Sequence, residues 1–162
     1  MDAVAASDTA VNDTAHSVRL TIPARAEFIP LGRLALSGIM GMHAQPLAAD
    51  LLGDLQLAVT EACTNSVRHA YGAPAVDDPD CSNTVEILYS LYADRLAVEV
   101  ADGGGGFASG HPPEPADAHT FDDDELSEGG LGLAIIRAIA DEVEFSMGAD
   151  GGFRLRFIKR LD

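Results

Sequence analysis

The stretch from Glu61 to Asn65 places an acid and a neutral amide four positions apart in an otherwise apolar run. At about 100° per residue, a helix would put the two side chains on one face, a turn apart. A glutamate there can accept a proton, and an asparagine carbonyl oxygen suits a hard cation. The pair therefore predicts proton transfer beside a metal ion, with a solvated helix face as the alternative.

A second candidate is Asp102, which ends an alternating apolar run and is followed by four glycines. Because glycine has no Cβ, the backbone at Gly104 and Gly106 can approach a ligand closely. A carboxylate accepts hydrogen bonds, and the exocyclic amine of adenine donates them. The stretch predicts a site for a purine base, with a glycine-rich turn and a surface aspartate as the alternative.

Two further glycines, Gly130 and Gly132, stand where an apolar helical pattern begins. The opening turn of a helix presents free N–H groups and the positive end of the helix dipole, an arrangement that binds phosphate. The stretch is neither a Walker loop nor a dinucleotide fingerprint placed directly after a first strand. Alone it predicts either a phosphate site or a flexible entry to the helix.

The helix that carries Glu61 and Asn65 is predicted from Leu51 to Tyr71, because apolar residues recur there at helical spacing and Gly72 ends the run. Its buried side is expected to consist of Leu51, Leu52, Leu55, Ala58, Val59, Ala62, Cys63 and Val67.

Two other helices are predicted, from Arg25 to about Met42 and from Gly130 through Asp141. The apolar face of the first is expected to consist of Phe28, Leu31, Leu34, Ala35 and Ile39. That of the second is expected to consist of Leu131, Ile135, Ala138 and Ile139.

Alternating apolar residues predict a strand from Ser17 to Pro23, a hairpin over 84–92 and 96–100 that leads to Asp102, and a closing hairpin over 143–147 and 153–157. Three or four helices against four or five strands indicate an α+β fold. We expect a two-layer α/β sandwich with a mixed, mostly antiparallel sheet and the helices on one face.

Composition limits the partners and the location. A length of 162 residues predicts one domain, over 16–162, after a polar tail at 1–15 that we expect to be disordered. A net charge of −16 argues against nucleic acid or an anionic membrane as the main partner, and a basic partner fits better. The chain has neither an apolar run of about 18 residues nor a signal-peptide pattern, so a cytoplasmic location is expected.

Between the second and third candidates, residues 108–128 show no apolar periodicity and include the acidic run from Asp122 to Glu125. A stretch of this length in a compact domain predicts a lid or binding loop. His111 and His119 nearby match no zinc spacing, and a solvated loop is the better interpretation. Cys63 and Cys81 are expected to be free thiols.

The order and spacing of the three candidates resemble the GHKL (Bergerat) ATP-binding superfamily, over most of Ser17 to Leu161. Its N box matches Glu61-x-x-x-Asn65, its G1 box matches Asp102-x-Gly104-x-Gly106-Phe107, and its G2 box matches Gly130-Leu131-Gly132-Leu133. Within the superfamily, the small size and the run from Glu61 to Tyr71 are most similar to the anti-sigma-factor serine/threonine kinases of the RsbW and SpoIIAB type.

The resemblance implies roles for the matched residues. Asn65 would hold Mg²⁺ against the phosphates of ATP, Asp102 would bind the adenine amine, and Glu61 would be the general base. Gly104 and Gly106 would admit base and ribose, and Gly130 and Gly132 would cradle the phosphates. Further nucleotide contacts are implied for Phe107, Leu131, Leu133 and Arg68.

The resemblance also implies partners: a sigma factor, a STAS-type anti-sigma-factor antagonist whose serine is phosphorylated, and a second copy of the chain, with the first helix as a homodimer or sigma interface. Several relatives carry a basic residue where this chain has Glu128, and Arg68 and Arg137 are possible replacements. Glu128 and the acidic loop leave two alternatives open. One is a nucleotide-dependent sequestering module with little or no phosphotransfer, and the other is an acidic domain that binds no nucleotide.

Overall fold

A computed structural model describes residues 15–71, 83–102, 130–147 and 153–161 of the chain. Its regular elements, in chain order, are β1 (His16–Pro23), α1 (Ile29–Met40), α2 (Ala49–Tyr71), β2 (Thr84–Leu91), β3 (Arg95–Asp102), α3 (Gly130–Ile139), β4 (Glu142–Met147) and β5 (Phe153–Arg160). A short 3-10 turn, Ala26–Phe28, leads into α1.

The five strands form one sheet in the order β1-β2-β3-β5-β4, and each neighbouring pair is antiparallel. Alternate residues of the inner strands, among them Ile87, Val98 and Phe157, share one buried cluster with residues from all three helices. The helices therefore lie on one face of the sheet. This confirms the two-layer α+β sandwich, with a sheet that is antiparallel throughout its described strands rather than mixed.

Helix α2 buries the side that its sequence predicts. Six of the eight expected residues are fully buried, and Leu51 and Leu52 at its first turn are half-buried. The helix packs on β3 and β5 as well as on α1 and α3, so it is the central helix of its layer.

Helix α1 buries a side that matches the expected one only in part, at Ile39 and, partly buried, at Phe28 and Ala35. Ile29, Leu36 and Ile39 are buried, whereas Leu34 is 68% exposed and Leu31 is also exposed. The cause lies at Gly32, where the Tyr89 hydroxyl donates a hydrogen bond of 2.6 Å to the carbonyl oxygen. A glycine lets the helix approach the sheet most closely on that side, because a Cβ there would lie only 3.0 Å from Cδ1 of Ile87. The prediction of Leu31 and Leu34 as core residues was wrong.

The apolar face predicted for α3 was also wrong in part. Leu131 is 71% exposed and Ala138 is exposed, whereas Ile136 is fully buried. Gly132 and Ile136 lie one turn apart on the inner side of the helix. Here again a glycine, which no pattern of apolar residues includes, lies at the closest contact between elements.

The tail at 1–14, the expected lid at 108–128 and the residues Cys81, His111 and His119 lie outside the described residues. Cys63 is buried and is a free thiol. No helix in the described ranges is long and apolar enough to cross a membrane. In the same ranges, no three histidine, cysteine or acidic side chains are grouped as a metal site would require.

Candidate functional site

The opening turn of α3 lies against the middle of α2. A Cβ built on Gly132 would lie 2.5 Å from Oε2 of Glu61 and 3.5 Å from both amide atoms of Asn65. Only a glycine leaves room for both side chains in their observed positions. The two predicted segments are therefore brought together, and the acid, the amide and the start of a helix share one small space.

The direction of α2 over the sheet follows from two contacts. Nε2 of His43, in the loop before α2, lies 3.1 Å from the carbonyl oxygen of Ala93 in the turn between β2 and β3. Further along, the Cβ position of Gly32 lies 3.5 Å from Val59 and 3.0 Å from Ile87, so Val59 lies near the middle of β2. The remainder of α2, about 18 Å at 1.5 Å per residue, runs on toward the opposite end of these strands.

That opposite end is where Asp102 lies. It is the last residue of β3 and pairs with Val85 of β2. Asp102 lies two residues after Val100 and four after Val98, and both valines point into the core. Because alternate residues of a strand face the same side of the sheet, the Asp102 side chain faces the helix layer. Asn65 and Asp102 are two of the three buried polar residues of the described chain, 6% and 7% exposed. Both are therefore buried toward the same end of the sandwich, Asn65 against α3 and Asp102 facing the helix layer from the sheet.

The two candidate cations lie in different places. Arg68 follows Glu61 by seven residues and Asn65 by three, so all three share one side of α2. Arg137 is in the last turn of α3, and its guanidinium lies 5.9 Å from the centre of the Phe145 ring. Arg137 is therefore at the far end of α3 from Gly132, and Arg68 is the better placed of the two.

Of the remaining predicted site residues, three lie on α3 and three lie outside the described residues. Gly130 is the first residue of α3, Leu131 is exposed, and Leu133 is half-buried. Gly104, Gly106 and Phe107 lie outside the described residues.

One buried residue beside the predicted pair was missed by sequence reasoning. Ser66 is 1% exposed, and its Oγ has no hydrogen-bond partner among the described residues. No sequence signal distinguishes this serine from one that bonds to the preceding turn of its own helix. Its position directly after Asn65 was the only available indication.

A separate surface depression lies at the other end of the sandwich, by the turn between β2 and β3. Its charged side chains already form ion pairs, Arg95 with Asp94 at 2.9 Å and Arg160 with Glu142 at 3.9 Å. Because these charges compensate one another, the depression is a weaker candidate than the space between α2 and α3.

The candidate residues of α2, α3 and β3 suit a nucleotide and its metal. The carboxylate of Glu61 and the amide oxygen of Asn65 are oxygen donors of the kind that Mg²⁺ prefers. The first N–H groups of α3 have no partner within the helix and can bind phosphate oxygens. The buried carboxylate of Asp102 can accept a hydrogen bond from a base. The oxygens of Glu61 and Asn65 are held close together at Gly132, so this donor set fits a metal ion beside a phosphate.

Comparisons with known proteins identify the family of the chain. Residues 22–159 match the family model described as a histidine kinase-like ATPase domain. The chain is 36% identical to the serine-protein kinase RsbW of Bacillus pumilus, over 94% of this chain and 90% of that one. It is also 36% identical to the RsbW kinase of Bacillus subtilis, over 82% and 79% of the two chains.

A solved structure of the RsbU and RsbW domains of a Mycobacterium tuberculosis protein superposes with a TM-score of 0.58. It covers 90% of this chain and 32% of that one, and at 18% identity the likeness supports the fold alone. The family match and the RsbW relatives together decide the assignment: the chain belongs to the histidine kinase-like ATPase domain family, in its branch of RsbW-type serine-protein kinases.

Proposed function

We propose that this chain is an ATP-dependent protein serine/threonine kinase that acts as an anti-sigma factor and phosphorylates a STAS-type antagonist. The observation that carries the proposal is the contact of Gly132 with Glu61 and Asn65, which joins a possible base, a possible metal ligand and a phosphate-binding helix terminus. The names of the relatives supply the class of reaction.

ATP would bind between α2, α3 and the end of β3. Asp102 would accept the hydrogen bond of the adenine amine, and the N–H groups at Gly130 and Gly132 would receive the phosphates. Asn65 would hold Mg²⁺, which supplies neutralisation of the charge that develops on the phosphate oxygens. Arg68, from the same side of α2, would add a positive charge near the phosphates.

Glu61 would act on the incoming serine. As the serine oxygen bonds to the γ-phosphorus, the bond from that phosphorus to the β,γ-bridging oxygen breaks and ADP leaves. The serine proton passes to the Glu61 carboxylate. The position of this carboxylate depends on Gly132, because a side chain at 132 would occupy its place. The part of the chain at 103–129 would supply the G1 glycines and the lid.

The charge of the chain and its exposed apolar surface support the proposed partners. A net charge of −16 favours a partner with basic surface, such as the sigma factor of the proposal. Leu31 and Leu34 leave apolar surface on the outer side of α1, and we assign this side to a homodimer contact. If so, Leu34→Glu gives a monomer by sedimentation; an unchanged sedimentation coefficient would remove α1 from the contact. The activity would take place in the cytoplasm, where sigma factors meet RNA polymerase.

Labelled ATP distinguishes the kinase from a sequestering module. We expect the protein, incubated with γ-labelled ATP, Mg²⁺ and a candidate antagonist, to transfer label to a serine or threonine of the antagonist. Transfer should vanish in Glu61→Ala and persist in Glu142→Gln, a control that removes an exposed carboxylate from β4. An unlabelled antagonist that co-purifies with the wild-type protein would support the sequestering module instead.

A further inference from the structure

The residues directly before Glu61 and Asn65 on α2 are threonines whose hydroxyls bond to their own helix. Oγ1 of Thr60 donates to the carbonyl oxygen of Gln56, and Oγ1 of Thr64 donates to that of Thr60, each at 2.8 Å. Both threonines are half-buried. Two consecutive turns of α2 therefore carry the same side-chain bond, and a proposed site residue follows each threonine at once.

A hydroxyl that bonds to the preceding turn changes the helix around it. The carbonyl oxygen four residues earlier already accepts a backbone N–H of the α-helix, so two donors now share one acceptor. Bonds of this kind slightly destabilise a helix and often bend it. The bond also selects the χ1 rotamer of the threonine. The shape of α2 at these two turns therefore depends on two hydroxyl groups as well as on the backbone.

The first carbonyl of this series belongs to a residue that is held from α1. Nε2 of Gln56 donates to Oγ of Ser37 at 2.9 Å, in a half-buried bond. Oγ of Ser37 in turn donates to the carbonyl oxygen of Arg33 at 3.0 Å. A series of hydrogen bonds thus connects α1 with the turn of α2 that ends at Thr64, directly before Asn65. This turn is held relative to α1 on one side and meets α3 on the other.

The contact of α2 with α3 leaves little room for displacement. A Cβ on Gly132 would lie 2.5 Å from Oε2 of Glu61 and 3.5 Å from both amide atoms of Asn65, so these side chains fill the space beside the opening turn of α3. A change in the curvature of α2 would move both side chains relative to that turn. Because a misplacement of about 1 Å can reduce a rate about a hundredfold, the curvature matters for the proposed chemistry.

From these contacts we infer that Thr60 and Thr64 are positioning residues, whose hydroxyls set the curvature of α2 that aligns Glu61 and Asn65 with the opening turn of α3. The inference rests on the proposed function, because it concerns the alignment of the base and the metal ligand for phosphotransfer. Threonine is a poorer helix former than alanine, and its bond to the preceding turn is slightly destabilising. Stability alone therefore does not explain two such bonds in consecutive turns.

Paired substitutions by valine and by serine test the inference. Valine keeps the branched shape and removes the hydroxyl, whereas serine keeps the hydroxyl and removes the methyl group. With saturating γ-labelled ATP and an antagonist that the wild-type protein labels, the double variant Thr60→Val, Thr64→Val should transfer label about tenfold more slowly, as expected for a displacement below 1 Å. Its KM for the antagonist should not change. The matched double variant Thr60→Ser, Thr64→Ser should transfer label at close to the wild-type rate.

The melting temperature separates alignment from stability. Each carbonyl keeps its backbone donor when the hydroxyl is lost, so the substitution leaves no acceptor without a partner. The melting temperature of the double valine variant should therefore equal or exceed the wild-type value, while its rate of transfer falls.

Four results would overturn the inference. They are a wild-type rate in the double valine variant, an equal loss of rate in the valine and serine variants, a raised KM at an unchanged rate, and a lower melting temperature of the valine variant. The third would place the threonines in the docking surface for the antagonist, and the fourth would give them a structural role. Each leaves the proposed function intact, because the wild-type protein still transfers label. A wild-type protein that transfers no label would instead refute the proposed function and this inference together.

Discussion

Gly132 on α3 and Glu61 on α2 are so close that a Cβ at position 132 would lie 2.5 Å from Oε2 of the glutamate. Real side chains do not approach to this distance, so the carboxylate occupies space that any other residue would fill. The contact links the proposed phosphate-binding end of α3 to the proposed base. A glycine at this position is therefore required sterically for the contact, and we propose that it also serves the chemistry.

Substitution of Gly132 by alanine should lower phosphotransfer more than stability. The end of the Glu61 side chain can move aside, so the fold should persist, but a displacement of about 1 Å can reduce a rate by about a hundredfold. We expect at least a tenfold loss in label transfer. Gly53→Ala is the control, since a Cβ there meets nothing within 4 Å and alanine should stabilise α2 by about 0.5–1 kcal/mol. Equal transfer rates in Gly132→Ala and the wild type would show that Glu61 needs no fixed position.

The hydrogen bond from Tyr89 to Gly32 should contribute to stability. Tyr89→Phe removes the donor of a buried bond of 2.6 Å and leaves the Gly32 carbonyl without it, which should cost about 1–3 kcal/mol. Urea unfolding followed by circular dichroism measures the change. A free energy of unfolding equal to the wild-type value within experimental error would mean that a water replaces the phenol as the donor to the Gly32 carbonyl.

The thiol of Cys63 should be inert in the folded protein. Burial raises its pKa to about 12, so at pH 8 only about one thiol in ten thousand would be ionised. In a Cys81→Ser background, alkylation by iodoacetamide at pH 8, followed by mass spectrometry, should proceed only as fast as the protein unfolds. Labelling that is faster than unfolding would contradict the described burial.

Acid should remove the stabilisation provided by Asp141. The backbone N–H of Arg160 donates to its carboxylate at 2.7 Å, and this bond, helped by Lys159, lowers the pKa of Asp141. The carboxylate therefore stabilises the fold above the ordinary aspartate pKa of about 3.9, and this contribution disappears as the pH falls through the lower folded-state pKa. Asp141→Asn should be less stable than the wild type at pH 7, with a smaller difference in acid. Glu144→Gln, which removes an exposed carboxylate that pairs with Arg156, is the control. A stability difference between Asp141→Asn and the wild type that does not change with pH would contradict the assignment.

Much of the fold could be predicted from periodicity alone. The alternation in β2 and β3 and the apolar repeat of α2 both have strong patterns, and the structure confirms them. The errors, at Leu31, Leu34, Leu131 and Ala138, share one cause, because α1 and α3 each turn a glycine toward their neighbour. Apolar patterns exclude glycine, so they miss the side on which two elements approach most closely.

The candidate site was predictable in its members but not in its geometry. Residue types and spacing indicated Glu61, Asn65, Asp102 and Gly132, because their chemistry suits ATP and their order resembles a known family. The distance between Gly132 and Glu61 depends on how two helices pack, which spacing cannot specify. Ser66 was missed for a related reason, since only packing decides whether its hydroxyl bonds to its own helix.

Asn65 and Asp102 are proposed to hold opposite ends of one nucleotide, and calorimetric titration of ATP with and without Mg²⁺ can separate their contributions. We expect the wild-type protein to bind ATP more tightly with Mg²⁺. Asp102→Asn should lose ATP binding under both conditions while remaining folded, whereas Asn65→Ala should lose only the part of the affinity that depends on Mg²⁺. ATP affinities that are unchanged in both variants would contradict the account.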